Sequence, residues 1–146
     1  MTKQGADATR RYLLSTTAAW QDKRFYEDAV RDTFGKFFGT LWNTFLVHHQ
    51  YAKLDHWTPA QAVPAEQWSD LDRWLLSRLH ATVAEARFEA DRLHLHKATR
   101  AIEAFVIDDL SNWWVRRSRD RFWGERASPD KLSAHSTLWT SLHTVS

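Results

Sequence analysis

Apolar residues recur at steps of three and four along most of the chain, and no stretch alternates apolar and polar with period two. That pattern predicts an all-α fold, an antiparallel helical bundle of long helices with short helical additions. A short helix is expected over 5–15, with Ala8, Tyr12 and Leu13 inward. After an irregular stretch over 16–24, a long helix is expected over 27–51. Its stripe is Val30, Phe34, Phe37, Leu41, Phe45 and His48, and Glu27 and Asp28 put negative charge in its first turn. Gly35 and Gly39 lie four apart on another face. Each glycine costs about 1 kcal/mol against alanine in a helix, so a close neighbour is expected there. Residues 54–67 hold Pro59 and Pro64 without periodicity and read as a loop. Ser69 is placed to cap a helix over 70–91, with Asp72 imitating the acidic partner of a capping box. That helix's stripe is Leu71, Trp74, Leu75, Leu79, Thr82 and Ala86. A break at Leu93 and His94 leads to a helix over 95–121 with Leu95, Ala98, Ile102, Phe105, Val106 and Trp113 inward. Gly124 suits a stop. Ser128 and Pro129 match the cap and first position of a last helix, which runs to the end of the sequence in mid-pattern, as a cut fragment would.

Two charges interrupt the apolar stripes. Arg78 and Asp109 fall mid-stripe on successive helices, where a lone charge is expensive to desolvate. A hairpin turning between Leu93 and His94 places them at one level, so an ion pair is expected. The alternative is that one of them sits at the stripe's edge and reaches water.

Composition narrows the function classes. The chain has 146 residues, enough for one domain with a sizeable core. Its formal net charge is only +2, so basic character is local and a general polyanion-coating role is disfavoured. The absence of cysteine excludes disulfides, thiolate metal sites and cysteine nucleophiles, and is compatible with a reducing, cytoplasmic location. No apolar run approaches the roughly 20 residues of a membrane span. The eight histidines show no Glu-x-x-His or His-Glu-x-x-His spacing, so no metal site is expected. There is no glycine-rich phosphate loop and no nucleophile elbow. No catalytic residue and no cofactor is therefore expected in this chain, and a cofactor-bearing bundle enzyme is disfavoured.

The candidate chemistry lies in 108–124. After a buried first half come Arg116, Arg117, Arg119 and Arg121, then Phe122, Trp123 and Gly124. Arginines interleaved with aromatics suit phosphate beside stackable bases, hence RNA. The competing reading is a solvated helix end with its basic side chains facing the dipole. At helical spacing Arg116 continues the apolar stripe and is expected to be structural. Arg117, Arg119 and Arg121 are the expected phosphate contacts, with Arg126 in the following loop and Lys23 and Arg24 as a second patch. Trp123 either stacks on an unpaired base or plugs the Gly124 turn.

The same stretch resembles Asp-Leu-Ser-Asn-Trp-Tyr-Val-Arg-Arg-Ser-Arg-Arg-Arg-Phe-Trp of isoleucyl-tRNA synthetases. Here Trp114 stands for the usual Tyr and Asp120 for an Arg. Residues 71–79 resemble that family's Leu-Asp-Arg-Trp-Ile-Leu-Ser-Arg-Leu, and residues 5–14 its Gly-Ala-Asp-Ala-Leu-Arg-Trp-Tyr-Leu-Leu. Residues 41–44 and 96–102 also fit, so the similarity runs in order along nearly the whole chain. The family often has a serine cap where Tyr26 stands and an aspartate where His94 stands. The resemblance implies that 1–24 is a connector after a catalytic domain absent from this chain. Residues 25–146 would be an anticodon-binding helical bundle, truncated in its last helix. It implies tRNA of the isoleucine type and the catalytic domain as partners. ATP and magnesium would be used by the parent enzyme and not by this piece. The alternative is a stand-alone helical protein-interaction module with a basic end.

Overall fold

The computed structural model describes residues 5–125 and 128–146. All regular structure among them is helical, with no strand. The chain forms α1 (Ala6–Ser15), α2 (Glu27–Phe34), a π-helical segment (Gly35–Gly39) and α3 (Thr40–Asp55). Two single 3₁₀ turns follow, Pro59–Gln61 and Ala65–Gln67, and then α4 (Asp70–Asp91) and α5 (Leu95–Ala104). A second π segment (Phe105–Val115), α6 (Arg119–Trp123) and α7 (Pro129–Val145) complete the order. Among the described residues no helix is long and apolar enough to cross a membrane.

The antiparallel hairpin is the frame. One arm is α4; the other is α5 with the second π segment. Helices α3 and α7 pack along it, and α1 rests on α2 and α5. The core between them is built on Leu75, Leu79, Phe105, Leu110, Trp114 and Leu138, all essentially sealed from water. Ser69 caps α4 as its sequence predicts: its Oγ accepts from the Asp72 backbone N–H at 3.2 Å, and its own N–H donates to Asp72 Oδ2 at 3.2 Å. Leu93 adopts a left-handed φ of 61° in the tight turn that reverses the chain. The turn is held by His94 N–H donating to the Glu89 carbonyl at 2.8 Å.

Both π segments shift the apolar stripes away from the simple helical period, because their i→i+5 bonds widen the turn. In the long helix over 27–55 the buried positions become Val30, Phe37, Thr44 and His48, while Phe34 and Phe45 are exposed. Gly35 and Gly39 bound the first π segment. A Cβ added at either would meet nothing within 4 Å, so the close neighbour expected from their spacing is absent. From the second π segment into α6 the buried row runs Phe105, Leu110, Trp114, Ser118 and Phe122. Trp113 therefore faces outward where α-helical spacing places it inward, and Arg116 is exposed rather than structural. Leu13, expected inward on α1, is exposed as well. Arg11 takes the buried place beside Tyr12, paired with Glu103 at 2.7 Å and lying over the Phe37 ring at 3.5 Å.

Arg78 Nε donates to Asp109 Oδ2 at 2.9 Å, so the hairpin has the register that its turn predicts. Burial is the part that differs. The Arg78 side chain is 52% exposed, and half-exposed pairs are worth about 0.2–1 kcal/mol. Asp109→Ala is accordingly expected to lower the unfolding free energy by less than about 1 kcal/mol. A urea titration returning about 3 kcal/mol or more, the cost of stranding a buried charge, would contradict that placement.

Candidate nucleic-acid interface

The basic stretch is assembled where the second π segment gives way to α6, and its cations fall into two groups. Arg121 turns inward. Its Nη1 and Nη2 donate to Asp72 Oδ1 and Oδ2 at 2.8 and 2.7 Å, and Nη2 also donates to the Asp130 carbonyl at 3.0 Å and pairs with its carboxylate at 2.9 Å. Asp72 is fully buried and also accepts from Trp114 Nε1 at 3.1 Å, Ser133 Oγ at 2.5 Å and Ser69 Oγ at 2.8 Å. Burial pushes the Asp72 carboxyl up, but the hydrogen bonds from Arg121 and Ser133 outweigh it and hold the group below its ordinary value. Burial likewise works against the charge on Arg121, and the bonds to Asp72 more than offset it. The expectation that Arg121 meets phosphate is thus corrected: its charge is neutralised inside the domain. Lys131 is used in the same way. Its Nζ donates to Asp55 Oδ1 at 2.9 Å and to the Gly124 carbonyl at 3.2 Å, while His135 Nε2 donates to Asp55 Oδ2 at 3.0 Å.

The second group faces water. Arg116, Arg117 and Arg119 are exposed, and among the described residues no carboxylate pairs with any of them. The Arg117 guanidinium lies over the Trp113 ring, 3.8 Å from its centroid. Arg119 opens α6, whose next residue, Asp120, is exposed too. Trp123 closes α6 and is 67% exposed, so it does not plug the Gly124 turn. Its Nε1 donates to Tyr51 Oη at 2.7 Å, and Tyr51 in turn stacks on Phe122 with ring centroids 5.4 Å apart. One edge of the indole is thereby anchored while much of the ring stays open.

The structure does not bring the second expected patch to this end. Lys23 donates to the Leu13 carbonyl and so closes the end of α1. Arg24 is exposed and its carbonyl accepts from Tyr12 Oη at 2.6 Å. Thr99 Oγ1 reaches the neighbouring Leu14 carbonyl at 3.5 Å, which sets Lys23 beside the start of α5, about 25 Å of helix from Arg117. Arg126 lies outside the described residues. Sequence reasoning misses the outward turn of Arg116, Trp113 and Trp74, because plain helical spacing puts each on an apolar stripe.

Comparison with known proteins agrees with this geometry. Residues 72–146 match the family described as the anticodon-binding domain of tRNA ligase. The chain is 42% identical over 144 residues to the isoleucine–tRNA ligase of Cytophaga hutchinsonii, covering 98% of this chain and 13% of that protein. It is 41% identical over 140 residues to that of Clostridium kluyveri, covering 96% and 13%. It is 40% identical over 144 residues to that of Methanothermobacter thermautotrophicus, covering 98% and 14%. The chain thus spans only about an eighth of the curated relatives it matches. An all-α hairpin frame, an open cationic end and a family match over the segment that builds both lead to one assignment: the chain belongs to the anticodon-binding domain family of tRNA ligases.

Proposed function

We propose that this chain is the anticodon-binding part of an isoleucine–tRNA ligase. It binds the anticodon stem-loop of isoleucine-type tRNA and positions it for a catalytic domain carried elsewhere in the same polypeptide. The observation that carries the reading is the division of the arginines. Arg121 is neutralised by Asp72 and Asp130, while Arg116, Arg117 and Arg119 stay exposed without a carboxylate among the described residues. Exposed cations beside the open face of Trp123 suit phosphates flanking an unpaired base. The near-complete coverage by isoleucine–tRNA ligases supports the choice of tRNA. Arg117, Arg119 and Trp123 are the proposed RNA contacts, joined by Arg116. Lys23 and Arg24 are left as a separate, weaker patch. Amino-acid activation, with its ATP and magnesium, would belong to the catalytic part, and the proposed location is cytoplasmic. Among the described residues no group of three or more His, Asp or Glu is placed to hold a metal ion. By itself this chain would bind tRNA without charging it.

The test is a titration of the chain with isoleucine tRNA against a valine tRNA control. Saturable binding that weakens as salt rises is the expected result. A protein that binds neither RNA would contradict the reading.

One observation favours a second reading, a protein-interaction module. Phe34, Phe38, Leu41, Trp42, Phe45 and Trp139 line an apolar groove of about 540 Å³. Binding of a protein through that groove would be insensitive to salt, whereas binding of tRNA to the arginines weakens as salt rises.

A further inference from the structure

Trp74 and Trp113 meet on the outer face of the hairpin, with ring centroids 6.2 Å apart at an interplanar angle of 54°. They are 36% and 45% exposed. Tryptophan contributes more apolar area than any other side chain when it is covered. Two adjacent indoles left half open therefore mark a surface that is used. The Arg117 guanidinium lies over the Trp113 ring at 3.8 Å from its centroid, and among the described residues it has no carboxylate partner. A guanidinium held on a ring keeps its N–H donors in its own plane, free for a phosphate.

We propose that Trp113, Trp74 and Arg117 form a stacking platform for an unpaired RNA base, separate from Trp123 at the end of α6. The proposal rests on the RNA reading above and deepens it by naming where a base is held. The choice of occupant follows from chemistry. An acidic peptide would meet Arg117 but has no use for two partly exposed indoles. An apolar helix would fill the indoles but strand Arg117, which no carboxylate pairs with among the described residues. A nucleotide presents a π face and a phosphate together, which is the combination offered here. The π segment is what makes the platform, because its wider turn rotates Trp113 out of the core and puts Trp114 in its place.

The test uses the whole chain and a fluorescently labelled anticodon stem-loop of isoleucine tRNA, with abasic substitutions walked through the loop. In the wild type, one abasic position is expected to weaken binding by about 5- to 150-fold, the range for loss of one base–aromatic stack. Trp113→Ala should weaken binding of the intact loop by a similar factor without changing the salt slope, and should lose nothing further at that abasic position. Trp113→Leu, which keeps apolar bulk, should behave like the alanine variant and guards against an unfolded protein. Equal abasic losses in wild type and both variants would overturn the platform. If Trp113→Leu binds normally while Arg119→Ala is weakened, the platform falls and the RNA reading stands. If the wild type binds no stem-loop at all, the RNA reading itself fails, and the platform with it. Competition by an acidic peptide that depends on Trp113 would assign the surface to protein and overturn the proposal.

Discussion

Asp72→Ala is expected to destabilise the domain by about 3–5 kcal/mol, the cost of removing one partner of a buried ion pair. Asp72 is fully buried and accepts from four side chains that come from three other parts of the chain as well as its own cap. Its removal leaves the inward-turned Arg121 with the exposed Asp130 as its one charged partner among the described residues, and leaves Trp114 Nε1 and Ser133 Oγ without the acceptor they use. Half of the α4 capping box goes as well, because the Ser69 N–H loses the Asp72 carboxylate, while Ser69 Oγ still accepts from the backbone N–H of residue 72. Trp114→Phe should cost less, about 1–3 kcal/mol, because it removes one donor and part of a ring while leaving the charges paired. The indole of Trp114 supplies a buried donor to Asp72. Chemical denaturation reads both changes. A shift near zero for Asp72→Ala would show that the network is not holding α4, α6 and α7 together.

Acid should dismantle the same region in two stages. His48 is buried, and that burial, reinforced by His135 nearby, lowers its pKa from 6.5 to about 4. Between these values the unfolded chain binds a proton that the folded chain does not, so stability falls as pH drops from about 6.5 to about 4. A shift of this size corresponds to about 3 kcal/mol. His135 is shifted in the same direction, by burial first, against the opposing pull of Asp55. The carboxylates act later. Asp55 and Asp72 are both held below their ordinary values: burial raises them, but hydrogen bonds from Lys131 and His135, and from Arg121 and Ser133, win. Their contribution is complete above an unfolded pKa of about 3.9 and is lost as pH falls through the folded values. His48→Phe should flatten the stability profile between about pH 6.5 and about pH 4 and leave the loss at lower pH in place. A wild-type profile that stays level down to about pH 4 would contradict the buried, neutral state of His48.

The helix bounds near strong local signals are legible in the sequence. Ser69 with Asp72, Ser128 with Pro129 and the reversal at Leu93 place three boundaries, and the reversal also sets the level of Arg78 against Asp109. The phase of the stripes is not legible wherever a π segment intervenes. Nothing in the local sequence announces the i→i+5 bonds of Phe105–Val115, and one wider turn is enough to exchange Trp113 with Trp114 and to turn Arg116 outward. The role of Asp72 is hidden for a related reason. Its spacing from Ser69 marks it as a local cap, although it also stands three, four and seven residues before Leu75, Leu76 and Leu79 on the true buried row. A charge on that row needs a partner, and its partners lie 42 to 61 residues away. The inward turn of Arg121 is hidden with it: until Asp72 is known as an internal acceptor, that arginine's charge points to RNA.

Arg116, Arg117 and Arg119, left open at the end of the hairpin, are the side chains assigned to RNA phosphates. The decisive measurement is the slope of log affinity against log salt for isoleucine tRNA, taken for the wild type and for Arg116→Ala, Arg117→Ala and Arg119→Ala. Removing one phosphate-binding arginine should flatten the slope by about 0.7–0.9 while weakening binding similarly for every RNA sequence. The expected result is a flatter slope in all three variants, larger in effect for Arg116 and Arg119, which no ring or carboxylate engages among the described residues, than for Arg117, which lies over Trp113. Unchanged affinity and slope in all three would contradict the assignment and leave this end of the domain as ordinary solvated surface.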